Sequence, residues 1–137
     1  MRKAAPSVSS ARLLDTFCRP LPLAAVAVLA LNDHVLKGSG LAPAWLTGKL
    51  SDFAGLFFFP LFLAAVVGLV VRSARASVLV VSSAAATALL FALIKSVPEA
   101  SAAYELAAGS LRGVGRVRNA CDPTDLIALP MCLFAVL

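Results

Sequence analysis

The chain has 137 residues, 61% of them hydrophobic and 14% charged, with twelve Lys and Arg against seven Asp and Glu for a net charge of +5. Soluble domains carry about 25% charged and about 45–50% apolar residues, so this chain has too little polar material to cover a water-facing surface. The basic balance does not imply nucleic acid, because the cations stand in short clusters beside apolar segments, as membrane flanks do.

Residues 1–18 contain Arg2, Lys3 and Arg12 and read as a basic N-terminal tail, loose over residues 1–11. A bilayer core about 30 Å thick needs about 20 helical residues at about 1.5 Å each. Residues 20–31 supply only twelve apolar positions before Asn32, Asp33 and His34, so the first span is expected over 19–36 with a polar last turn. The rival is a secretory signal with small residues at Ala27 and Ala30. The long basic region and the prolines Pro20 and Pro22 opening the core speak against it.

Two further stretches, "FAGLFFFPLFLAAVVGLVV" and "ASVLVVSSAAATALLFALI", each run nineteen residues without a charge. Lipid offers the backbone no partners, so both must be helices, expected over 52–71 and 76–95. Pro60 removes one ladder bond and is expected to bend the first of them. Ala64 and Gly68, with Ser83, Ala84, Thr87 and Ala88, mark where backbones can approach closely.

After Lys95, Ser96 is expected to cap a helix opened by Pro98, with Glu99 reaching back. Val97, Ala100, Tyr104, Ala107 and Leu111 then recur at helical spacing, so an interfacial helix is expected over 97–112, ended by Gly113. The last apolar run, residues 126–137, gives about 18 Å of helix, less than a bilayer. A fourth span over 124–137 is therefore short, stopping against its neighbours or cut short in a truncated chain. The expected fold is all-α: one polytopic domain over 19–137, a four-helix transmembrane bundle with one interfacial helix.

Four crossings bring the first and third loops to one side of the membrane, gathering Asn32, Asp33, His34, Lys37, Lys49, Ser51, Asp52, Lys95, Glu99, Asp122, Thr124 and Asp125. Most have an architectural reading. Asp122 and Asp125 flank Pro123 as residues of a helix start do, and Ser51 with Asp52 can cap the second span. Asp33 and Lys37 are spaced for an ion pair, Lys49 and Lys95 can extend to the interface, and Trp45 suits an aromatic belt.

Capping does not account for Asn32, Asp33 and His34 together. An acid at the C-terminal end of a helix faces the negative end of the dipole and needs a compensating partner. Successive residues turn about 100° around the axis, so the three cannot converge on one ligand. Asp33 or His34 is instead expected to meet Asp52 or Asp125 across the bundle.

Asp33, His34, Asp52, Asp122 and Asp125 are the candidate metal ligands, and Asp33, His34, Asp52 and Asp125 the candidate acids and bases. Neither an HExxH nor a CxxC spacing supports such a site, and Cys18, Cys121 and Cys132 are an odd, scattered set. "RGVGRVR" offers Arg112, Arg116 and Arg118, whose guanidinium forks suit phosphate or simply anionic lipid. With Asn32, Lys37 and Lys49 they are the candidate binding residues. The sequence leaves the cofactor unknown. Six cations fall on each side of the membrane, and only the basic leading flank of the first span favours a cytoplasmic N-terminus.

"LNDHVLK", "LTGKLSDFAGLFFFPL" and "DPTDLIALP" resemble a group of small bacterial multipass membrane proteins of uncharacterised function. More distantly, the charged start of one span and the Arg and Asp residues before a later one resemble VanZ-like proteins, implicated in glycopeptide resistance. The likeness covers residues 31–60 and 118–130, and Asp52-Phe53 stands where those proteins have a His-Phe pair. It implies a place in the bacterial plasma membrane and the cell envelope.

The expected function is that of an accessory or binding protein whose polar face meets a membrane-protein partner, a lipid head group or an ion. The alternative is a metal-dependent membrane enzyme acting on a phosphorylated or lipid-linked envelope substrate. A transport or channel role needs acids deep in the spans, and residues 53–71 and 76–94 contain none.

Overall fold

The computed structural model describes residues 8–71, 73–111, 113 and 119–137, and these are helical throughout, with turns and short links but no strand. Chain order runs α1 (Val8–Phe17), α2 (Pro20–Leu31), a π turn (Asn32–Leu36), α3 (Ala44–Val70), α4 (Ala76–Ser96), α5 (Pro98–Leu111), a 3-10 turn (Pro123–Ala128) and α6 (Pro130–Phe134). Two helices, α3 and α4, are long and apolar enough to cross a membrane; a third crossing arises if α1 and α2, bent by 54° at their junction, count as one span. The segment Pro123–Phe134 is apolar but shorter.

The basic tail expected over residues 1–18 gives way to a helix from Val8. Leu13 is buried with Ala64 and Ala65 of α3 and Leu79 of α4, and the Ser10 hydroxyl donates to the Gly68 carbonyl at 2.6 Å. Further along, the Phe17 and Phe62 rings lie 5.7 Å apart, and Asn32 reaches the Thr47 carbonyl at 2.7 Å. Residues 10, 17 and 32 thus descend α3 in antiparallel register. The twelve apolar residues of α2 are too few for a crossing by themselves, and α1 continues their path along α3.

Helix α3 starts at Ala44 behind Pro43, about two turns before the expected position. Its first turns are held by tertiary contacts that hydropathy does not register, above all Asn32 on Thr47. Asp52 consequently sits inside the helix rather than at its cap. Pro60 is fully buried and α3 continues through it as one helix.

Helix α4 ends with Ser96, leaving Val97 as the link to α5. Ser96 therefore closes one helix rather than capping the next, while Pro98 opens α5 as expected. In the last segment Pro130 interrupts what was expected as a continuous span. It brings no N–H, so the chain turns as 3-10 through Ala128 and restarts as α6.

Ser83, Ala84 and Thr87 of α4 and Ala64 and Gly68 of α3 are buried, as their size anticipates. The Thr87 hydroxyl donates to the Ser83 carbonyl of its own helix at 2.7 Å. A second apolar cluster joins Leu56, Ala84, Phe91, Ala128 and Cys132 where α3 and α4 meet the last segment. The outer surface is equally apolar: Leu89 is 64% exposed and Val78 57%. Contiguous apolar surface of this kind is stable against lipid and not against water.

Candidate functional site: the polar junction

Polar side chains gather where the π turn, the first turns of α3, the end of α4 and the 3-10 turn converge. At the centre is an ion network. Lys95 Nζ lies 2.7 Å from Asp125 Oδ2 and 3.0 Å from Asp52 Oδ2, and Lys49 Nζ lies 2.9 Å from Asp125 Oδ1. Lys49 also donates to the Thr124 hydroxyl at 3.0 Å. Only 7% of the Lys95 side chain is exposed, and its ammonium stands 5.5 Å from the centre of the Phe91 ring.

Each charge is placed for a local reason. Lys49 and Asp52 are three apart on α3 and share a face. Lys95 occupies the last turn of α4, where a cation meets the negative dipole end. The Asp122 side chain accepts the Thr124 N–H at 2.9 Å and caps the 3-10 turn as expected. Asp125 takes no part in the cap, because it is buried and turned to the two lysines. Lys49 and Lys95 likewise point inward instead of extending to the interface.

Two cations and two carboxylates make this tetrad neutral. Buried charges persist only when paired, and here both Asp125 oxygens accept a lysine hydrogen bond. Asp52 Oδ2 touches the Lys95 ammonium without hydrogen-bond alignment.

A second knot surrounds Asn32, which is 0% exposed. Its Nδ2 donates to the Thr47 carbonyl and to Ser51 Oγ, each at 2.7 Å, and Ser51 donates onward to Asp33 Oδ1 at 2.8 Å. Lys37 stands 3.6 Å from the same carboxylate oxygen. Asn32 Oδ1 is buried with no partner among the described residues. The π turn makes this possible, because its Lys37 N–H bonds the Asn32 carbonyl at 2.8 Å and widens the helix just where Asn32 turns inward.

A third set ties the link after α5. Asn119 donates from Nδ2 to Ser101 Oγ at 2.7 Å and from its backbone to Glu105 Oε1 at 2.7 Å. The Cys121 thiol donates to the Lys95 carbonyl at 3.4 Å.

The sequence candidates therefore divide. Asp52, Asp125 and Lys49 come together around Lys95, while Asp33, Asn32 and Lys37 join Ser51 in a separate knot. Asp33 meets neither Asp52 nor Asp125, and His34 is exposed on the π turn. Among the described residues no three of His, Cys, Asp and Glu are grouped to hold a metal ion. Arg112, Arg116 and Arg118 lie outside the described residues. Thr47, Ser101 and Asn119 escape sequence reasoning altogether, since an isolated polar residue carries no spacing signal.

No family model matches the chain, and neither does any curated protein or solved structure.

Proposed function

We propose that the chain is a small integral membrane protein of accessory or binding function. In this reading it belongs to the bacterial plasma membrane and cell envelope, with a cytoplasmic N-terminus and its polar junction at the opposite surface. The path along α2, α3 and α4, completed by the apolar segment Pro123–Phe134, makes a four-part bundle. The resemblance of "LTGKLSDFAGLFFFPL" to small bacterial multipass membrane proteins agrees with an envelope role.

The observation that carries the reading is the internal neutralisation of the tetrad. Both Asp125 oxygens accept a lysine hydrogen bond and the Lys95 ammonium is shared between Asp125 and Asp52, so the four charges compensate one another within the chain. Such a network locks helices together. That leaves the surrounding surface, rather than the buried charges, to meet a lipid or a protein.

Topology is the test. Impermeant thiol reagents in intact cells should label native Cys121 together with Ser39→Cys and Glu99→Cys, all at exposed positions, and leave Ser73→Cys unlabelled. Labelling of position 39 from one side and Cys121 from the other contradicts the bundle. A divalent ion bound by the purified chain and lost in both His34→Ala and Asp52→Asn moves the assignment to an enzyme.

A further inference from the structure

The path of α1 and α2 along α3 carries two charges to the level of the bundle's apolar middle. The Phe17 ring meets that of Phe62, and Phe62 is the midpoint of the charge-free run over residues 53–71. Asp15 and Arg19 each stand two residues from Phe17, about 3 Å along the helix axis. Neither points into the protein: 78% of the Asp15 side chain and 66% of that of Arg19 are exposed. Their charged atoms lie 3.9 Å apart, too far for a hydrogen bond.

In a bilayer this level is the centre of the hydrocarbon. An ionised side chain there is costly unless it meets a partner or water, and the short Asp15 side chain cannot reach the surface. Arg12 differs, since it lies about 8 Å from Phe17 towards the end of α3, and its long stem can carry the charge to the head groups.

The backbone makes the same demand. Pro20 has no N–H, so α1 stops at Phe17, Arg19 is extended with ψ 158°, and α2 restarts at an angle of 54°. Irregular backbone at membrane depth is tolerated where protein covers it or water lines it, and not against lipid. Cys18, Arg19 and Pro20 are all exposed. The break and the two charges thus share one uncovered face at one depth.

Charge complementarity selects the cover. The face presents one carboxylate and one guanidinium a helical turn apart, so it complements itself. Two copies in one membrane share depth and orientation, and a two-fold axis along the membrane normal sets each Arg19 beside the other copy's Asp15. The offset of four residues is about 6 Å, within reach of an arginine stem. A foreign helix would need its own acid and base at that same depth.

We propose that this face docks on a second copy of the chain, with each Arg19 pairing with the other copy's Asp15 in the middle of the bilayer. The inference rests on the membrane reading above and supplies its partner.

Two differently tagged full-length chains are co-expressed, and one tag is captured from mild detergent. Wild-type copies should co-purify. Asp15→Arg paired with itself, or Arg19→Asp paired with itself, should co-purify at least about tenfold less, as loss of a desolvated ion pair provides. Asp15→Arg mixed with Arg19→Asp should restore capture, because one copy then carries only cations at these positions and the other only carboxylates. Undiminished capture of either variant by itself, or no rescue in the mixture, overturns the proposal. If a variant fails to accumulate in membranes, the unaltered chain decides. Oxidation of native membranes with copper phenanthroline should join two copies through the exposed Cys18, and Cys18→Ser should abolish that dimer while Cys121→Ser keeps it. Absence of the Cys18 dimer then overturns the proposal. Release of the chain from membranes by alkaline carbonate sinks the membrane reading itself, a result distinct from an integral protein that stays monomeric.

Discussion

Lys95 Nζ and Asp125 Oδ2 lie 2.7 Å apart in a buried contact between residues thirty positions apart in the chain. This contact fastens the end of α4 to the 3-10 turn, and through Asp52 it fastens both to α3. Losing one partner strands the other charge away from water, which is costlier than never having buried either.

Lys95→Met should therefore destabilise the fold by about 3–5 kcal/mol, the usual cost of breaking a buried pair from one side. The triple variant Lys95→Met, Asp52→Leu, Asp125→Leu should recover part of that loss, although Lys49 then loses its carboxylate. Unfolding of the purified chain in detergent, followed by circular dichroism, provides the comparison. Equal stability of the wild type and Lys95→Met would show that the network is not an internal lock.

An exposed pair should behave oppositely. Asp33 with Lys37, at 3.6 Å, reaches outward. Pairs of this kind contribute about 0–1 kcal/mol and are screened by salt. Lys37→Ala is expected to shift stability by no more than about 0.5 kcal/mol. A loss as large as that of Lys95→Met would place Asp33 in a buried network.

Asn32 links the π turn to α3 through two bonds of 2.7 Å. Asn32→Leu keeps the branched heavy-atom skeleton but has no donor, and should cost about 1–3 kcal/mol by stranding Ser51 and the inward backbone. Amide hydrogen exchange over residues 44–51 should accelerate in this variant. Unchanged exchange there would mean that α3 does not need Asn32 to begin at Ala44.

At the other end of α3, a Cβ added to Gly68 would stand 2.5 Å from Leu13 Cδ1. The leucine tip can swing aside for one methyl, so Gly68→Ala should be mild, whereas the branched Gly68→Val should push α1 off α3. Limited proteolysis within residues 8–17 reads the displacement. Gly68→Val combined with Leu13→Ala should restore protection, since the smaller side chain vacates the contact.

What is legible in the sequence follows from the range over which each property acts. Helix α4, expected over 76–95, ends at Ser96, because hydropathy sums over neighbours in the chain and a membrane helix completes its own hydrogen bonds. The Asp122 cap and the Asp33–Lys37 pair are legible for the same reason, each lying within one helical turn. The helix at Val8–Phe17 and the early start of α3 are not, since both are set by contacts with residues far along the sequence: Ser10 with Gly68, and Asn32 with Thr47.

By itself the sequence determined that the chain is helical and too apolar for water, because those properties depend on composition and on runs of adjacent residues. Only the tertiary structure decided that Lys95 rather than His34 completes the ionic centre, that Asp33 belongs elsewhere, and that Asp125 turns inward. An ion pair needs two side chains within about 4 Å, and the partners of Asp125 lie 76 and 30 residues away. No local pattern encodes that distance, which arises only when α3, α4 and the 3-10 turn pack against one another.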